Sequence, residues 1–361
     1  MSRPVHVARP GWPGITDPPH WNGGNGAEVT GPGQPTAADP SDPRPAGVVR
    51  PTGDTLPDHS GAGVAQAAGA HATADVAAAA VPAGLPPSPL AEAFRATLTR
   101  GIHGLCFSPY LEGQQPGDSI GEAQIRARLQ ILQPHARWVR SFSCTDGHEH
   151  TPRIAHELGF KTLVGAWLGT DAAINAREIE GLIAVARAGH ADLVAVGNEV
   201  LLREDMGEDE LLACLQQVKA ALPGVPVGYV DAYYLFELHP RITAACDVVM
   251  TNCYPFWEGC PREHALPYMQ SMLARTRAAA PSKRIVISET GWPDQGSAFH
   301  GAVPGTDAAM RYFVDTAAWA DAEGIEWFHF AAFDEAWKVG AEGDVGAFWG
   351  LWNKDGQLKF G

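Results

Sequence analysis

The sequence predicts an α/β protein: a (β/α)8 (TIM) barrel preceded by a disordered Pro/Gly/Ala-rich N-terminal tail. Two observations carry that expectation. The composition changes sharply near residue 90, and beyond it short β-branched or apolar runs alternate with longer stretches of helical period, eight times over. Right-handed crossovers make such strands parallel, and eight of them close into a barrel whose functional residues collect at the strand C-terminal ends.

The first segment, residues 1–90, contains 16 of the 29 prolines, with no leucine before Leu56 and no phenylalanine before Phe94. It cannot bury enough apolar surface to offset the entropy of ordering. Its Ala-rich stretch from His71 to Leu85 is interrupted by Asp75 and Pro82 and reads as linker. Residues 91–361 then form one domain of barrel size. The strands expected in order are Gly101 to Phe107, Ala136 to Phe142, Lys161 to Trp167, Leu193 to Gly197, Val225 to Val230, Asp247 to Thr251, Arg284 to Ser288 and Ile325 to Phe330. Between them lie helical stretches such as Ala172 to Ala188, Glu208 to Leu222, Arg262 to Ala279 and Thr306 to Ala322, with a short fifth one from Ala232 to His239. Thr170-Asp171 and Gly207-Glu208 supply helix starts, while Pro223-Gly224 and Ala280-Pro281 supply stops.

Charge narrows the function classes. Lysine plus arginine number 26 against 41 aspartate plus glutamate, a net charge of −15, which speaks against a nucleic-acid or anionic-membrane partner. Six cysteines are too few for a disulfide scaffold in a chain of this length. No segment approaches the roughly 20 apolar residues of a membrane helix, and the start MSRPVHVARPGWPG shows no readable secretory signal. A soluble monomer is expected.

At the expected strand ends stand Cys106-Phe107-Ser108, Arg140-Ser141-Phe142, Gly165-Ala166-Trp167, Asn198-Glu199, Asp231, Asn252 with Tyr254, Glu289 and Phe333-Asp334-Glu335. Glu199 and Glu289 close the fourth and seventh strands, across the barrel mouth from each other. Two facing carboxyl groups suit acetal cleavage, in which one protonates the leaving oxygen and the other meets the oxocarbenium-like centre. A surface glutamate following a strand is the plain alternative for Glu199. Glu289 is more telling, because the buried run Ile285-Val286-Ile287-Ser288 leads straight into it and Thr290-Gly291-Trp292-Pro293 turns away.

Rival constellations are weaker. Cys246, Cys253 and Cys260 recur every seven residues near His264, which is not the close spacing of a zinc site. Buried free thiols are expected there, with a Cys253–Cys260 disulfide left open. His148 and His150 flank Glu149 and read as a solvated loop, and no GxSxG, Walker or GxGxxG motif stands in a suitable context. No metal and no cofactor is therefore expected.

Val196-Gly197-Asn198-Glu199-Val200 and Ser288-Glu289-Thr290-Gly291-Trp292-Pro293 resemble signatures of glycoside hydrolase family 17, the β-1,3-glucanase family. So do Val164-Gly165-Ala166-Trp167, Asn252-Cys253-Tyr254-Pro255-Phe256 and Phe333-Asp334-Glu335-Ala336-Trp337-Lys338, in the same order along about residues 99–352. The resemblance, to a bacterial-type member, implies that residues 91–361 are a retaining catalytic domain. Glu199 would be its acid/base and Glu289 its nucleophile. It also implies that Asn198 binds the sugar 2-hydroxyl, that Tyr254 holds the Glu289 carboxylate, and that Glu335 and Lys338 form a charged pair on the acid side.

Among the aromatics Trp167, Phe256, Trp257, Trp292, Trp337, Trp349 and Trp352, about half are expected in the core. Trp292 and Phe256 are the preferred platforms for sugar C–H faces. Asp146, Asp231 and Asp334 could hold sugar hydroxyls or serve as caps and surface charges. Hydrolysis of β-1,3-glucan is the expected activity, with transglycosylation as alternative and a non-catalytic glucan-binding barrel as the third reading. Loops that look short at the barrel mouth point to an open, internally cutting cleft. Polymeric glucan implies a periplasmic or extracellular setting.

Overall fold

The computed structural model describes residues 88–340 and 342–360. The expected tail, including His71 to Leu85, lies outside the described residues except for residues 88–90, which open a helix. That helix, α1 (Pro89–Arg100), begins where the Ser88 hydroxyl accepts from the Ala91 amide and Pro89 presets the first turn. It packs on the last helix, with the Phe94 ring 5.1 Å from that of Phe313 and Arg100 paired to Asp321.

Eight parallel strands follow in a closed order: β1 (Ile102–Cys106), β2 (Ala136–Ser141), β3 (Lys161–Ala166), β4 (Leu193–Asn198), β5 (Val227–Ala232), β6 (Val248–Asn252), β7 (Arg284–Thr290) and β8 (Trp327–His329). Every residue of β1, β4, β5, β6 and β8 is buried, which is why these strands read as continuous apolar runs. Closure is tight where β1 meets β8: a Cβ on Gly104 would stand 2.5 Å from the Phe328 ring. The helices between strands are α2 (Glu122–Leu132), α3 (Thr151–Glu157), α4 (Ala172–Arg187), α5 (Glu208–Ala221), α6 (Leu235–Leu238), α7 (Pro240–Ala245), α8 (Arg262–Ala279) and α9 (Thr306–Glu323).

The barrel expectation holds, and three local ones need correction. β5 starts later than Val225 and runs on through Asp231, a residue whose charge argues against a strand until its partners are seen. The short fifth helix is two, α6 and α7, because a residue before proline resists the helical region and His239, at φ −120°, breaks the pair ahead of Pro240. The mouth loops are not short. Segments 107–121, 291–305 and 330–360 follow β1, β7 and β8. They escaped notice because the last carries its own apolar residues: Phe333, Trp349, Leu351 and Trp352 are buried, and across it the Ala331 amide donates to the Trp349 carbonyl while the Ala331 carbonyl accepts from the Leu351 amide.

All six cysteines are free, so the Cys253–Cys260 disulfide does not form. No helix among the described residues is long and apolar enough to cross a membrane.

Candidate active site

Irregular strand ends aim the two glutamates. In β4 the pairing with β5 slips between Ala195 and Asn198, and Gly197 takes φ +84° where a Cβ would meet Val200 Cγ2 at 2.7 Å. Such a bulge turns the strand and re-aims its last residues. Glu199 follows in the left-handed region at φ +51°, anchored by its amide to the Val230 carbonyl at 2.8 Å. β7 slips against both neighbours near its own end, which leaves Glu289 paired in register with Asn252 of β6. Glu199 and Glu289 are 4% and 3% exposed.

Two bridges join these strand ends. Arg140 of β2 donates from Nη1 to Glu289 Oε1 at 2.6 Å and from Nη2 to Asn198 Oδ1 at 2.6 Å. Asn252 donates from Nδ2 to Glu199 Oε1 at 2.9 Å and accepts from Ser288 Oγ at 2.8 Å. Tyr254 Oη donates to Glu289 Oε2 at 2.7 Å, as expected for that pair. Burial is the strongest influence and opposes the Arg140 charge, but the Glu289 carboxylate and Cys106 together outweigh it and hold the guanidinium above its ordinary range. The environments therefore differ: Glu289 faces a cation and a phenol, both of which favour a carboxylate anion, while Glu199 receives a neutral amide.

Glu335 and Lys338 do pair, Oε2 to Nζ at 2.7 Å, with Lys338 4.2 Å over the Phe330 ring. Burial opposes the Lys338 charge, and Glu335, Glu342 and, least of the three, Glu289 hold it above its ordinary range, so this charge is felt at Glu289. Phe256 and Trp292 are 0% and 2% exposed, stacked edge to face at 5.3 Å, with Trp292 Nε1 bonded to the Val303 carbonyl. Neither offers a face to a sugar; they are core under the β6 and β7 loops. Trp349 and Trp352 are core as well, whereas Trp167, Trp257 and Trp337 are partly exposed.

The aspartates separate in the same way. Asp334 accepts from Lys359 at 2.8 Å and from the Gly350 amide, fastening the C-terminal segment, while Asp146 is exposed on its loop. Asp231 is fully buried, accepting from the Tyr229 hydroxyl and from the Ala232 amide at 2.8 Å, so it lies behind the mouth and not toward a sugar. The expected solvated loop is instead a 3-10 turn, His148–His150, in which His148 is buried with its Nε2 2.9 Å from Tyr110 Oη and His150 is partly exposed. Among the described residues no group of three or more His, Cys, Asp or Glu side chains could hold a metal.

Burial, opposed by the Tyr229 hydroxyl and reinforced by the Glu199 charge, pushes Asp231 up to about 7. A carboxyl raised on folding favours the native state fully below its unfolded pKa and loses that contribution as pH rises through the folded one. Asp231→Asn should therefore gain thermal stability relative to the parent between about pH 5 and about pH 8. An unchanged gap in melting temperature across that range would show that Asp231 is ionised throughout.

Arg140, Asn252 and Ser288 were given no role from sequence. The available signal was Arg140 itself, a charge inside the buried strand Val139-Arg140-Ser141 that demands a partner.

The BtgE/BtgC glycoside hydrolase domain matches residues 104–350. A glucan 1,3-β-glucosidase of Arthroderma benhamiae is 27% identical over 265 residues, covering 68% of this chain and 85% of that protein. The glucan 1,3-β-glucosidase BGL2 of Candida albicans is 27% identical over 258 residues, covering 64% and 83%. In structure, a glycoside hydrolase family 17 β-1,3-glucanosyltransferase from Rhizomucor miehei superposes with a TM-score of 0.65 at 25% identity, over 72% of this chain and 96% of its own. With a family match over residues 104–350, more than half of the chain, the chain belongs to the BtgE/BtgC glycoside hydrolase family and is a glycosidase of the family 17 type.

Proposed function

We propose that this protein cleaves β-1,3-glucan with retention, using Glu289 as nucleophile and Glu199 as acid/base. The observation that carries the assignment is the asymmetry of the two carboxyls: Arg140 and Tyr254 converge on Glu289, while Glu199 accepts the Asn252 amide. Retention is supported by closeness. Asn252 is the strand neighbour of Glu289 and also the donor to Glu199, a contact chain short enough for the ~5 Å separation that a covalent intermediate needs.

Glu199 would give its proton to the glycosidic oxygen as Glu289 attacks C1, breaking the C1–O bond and forming a glucosyl ester. Glu199 would then take the proton of an incoming hydroxyl, whose oxygen attacks C1 and frees Glu289. Asn198, its Oδ1 engaged by Arg140, has its amide nitrogen to donate to the sugar 2-hydroxyl. Partly exposed Trp167 and Trp337 replace Trp292 and Phe256 as sugar platforms. The glucan linkage is supported by the names of the relatives, and the catalytic domain is taken as residues 91–361, together with the start of α1 at Pro89. Action as a monomer is supported by the presence of both glutamates and their partners in one chain. The bacterial type rests on sequence resemblance alone, the relatives named above being fungal.

Hydrolysis is the primary reading; the glucanosyltransferase neighbour supports transfer as the second. Incubation with a laminari-oligosaccharide of defined length, followed by mass spectrometry, separates them. Only shorter products mean hydrolysis, with mid-length fragments early if cutting is internal, and products longer than the substrate mean transfer. No change in the oligosaccharide would overturn the glucanase reading.

A further inference from the structure

The turn that carries Glu199 is held from one side by a single guanidinium. Arg203 donates from Nη1 to the Asn198 carbonyl, from Nη2 to the Leu168 carbonyl at 3.0 Å and from Nε to Asp205 Oδ2 at 2.7 Å. Its own amide donates to the Glu199 carbonyl at 2.9 Å, and the guanidinium lies 4.7 Å over the Trp167 ring. The side chain is 9% exposed. Glu199 and Glu204 both sit in the left-handed region, at φ +51° and +57°, so segment 199–205 adopts a backbone that its residues do not favour and that its surroundings must impose. On the far side the Leu201 amide donates to Tyr229 Oη at 2.9 Å.

We propose that Arg203 is the positioning residue of the acid/base: by clamping the Asn198 carbonyl at the end of β4 and the Leu168 carbonyl just past β3, it fixes the direction in which Glu199 meets the leaving oxygen. The planar fork suits this task, since it reaches two carbonyls and a carboxylate at once while stacking on Trp167, and a lysine cannot. Loss of the fork lets the turn relax, and Glu199 then delivers its proton from a poorer angle. The idea rests on Glu199 being the acid/base, so the test must tell the two apart.

Arg203→Met, Arg203→Lys and Glu199→Ala would be compared in the full chain by kcat/KM on laminaritriose and on 2,4-dinitrophenyl β-laminaribioside, whose aglycone leaves without protonation. Glu199→Ala should lose on the order of 10³-fold on the trisaccharide and far less on the aryl glycoside. Arg203→Met should show the same selective loss at roughly 10²-fold, with Arg203→Lys intermediate. Equal losses on both substrates, or none, in the Arg203 variants beside a selective Glu199→Ala would overturn the positioning role alone. A Glu199→Ala that loses equally on both would overturn the acid/base assignment and this proposal with it. Should Arg203→Met not fold, the same ratio measured on Arg203→Lys decides.

Discussion

Glu289→Ala should lower kcat on laminari-oligosaccharides by roughly four orders of magnitude or more, because the proposed covalent intermediate forms on its carboxylate. Loss of activity alone would not distinguish a nucleophile from a residue whose removal disturbs the site. Azide does so. With an activated β-glycoside, azide entering the space left by Glu289 attacks C1 directly and yields the inverted α-glucosyl azide. In Glu199→Ala it intercepts the intermediate on Glu289 and yields the retained β-azide. An α-product from Glu199→Ala and a β-product from Glu289→Ala would exchange the two roles, and full activity of either variant would remove it from the mechanism. Because Glu289 is buried against Arg140, the melting temperature of each variant and its binding of an intact oligosaccharide belong beside the rates.

The reach of sequence reasoning follows from what each residue's neighbours dictate. Glu289 was legible because a run of buried aliphatics ends on it, and a carboxylate there has no structural purpose in a core. The eight strands were legible because burial on both faces makes their composition continuous. Phe256 and Trp292 were misjudged because aromatic identity is the same in a core and on a sugar platform, and only packing distinguishes them. Asp231 failed similarly: its place at a strand end was visible, but the Tyr229 hydroxyl that turns it inward comes from the same face of the same strand, two residues back. The long mouth loops were hidden by their own apolar content. Arg140 shows the deepest limit, since a buried guanidinium announces a partner without saying which of several carboxylates it meets.

Arg140 is also where the second large effect is expected. Two of its bonds link Glu289, the proposed nucleophile, on β7 to Asn198 on β4, so Arg140→Lys keeps the charge but loses the simultaneous reach, and kcat should fall about 10²-fold with the fold intact. Arg140→Met should be worse on two counts. It removes the cation that orients Glu289, and it leaves that carboxylate buried without its ion-pair partner, costing about 3–5 kcal/mol of stability. Adding Glu289→Gln separates the two effects, because neutralising the second partner relieves the uncompensated charge while leaving no nucleophile. The double variant should therefore recover much of the melting temperature lost by Arg140→Met and none of the activity. If its melting temperature instead falls by the sum of the single changes, the ion pair is not what Arg140 contributes. Its effect on rate would then act through its neutral partners, Asn198 and the Ser288 carbonyl.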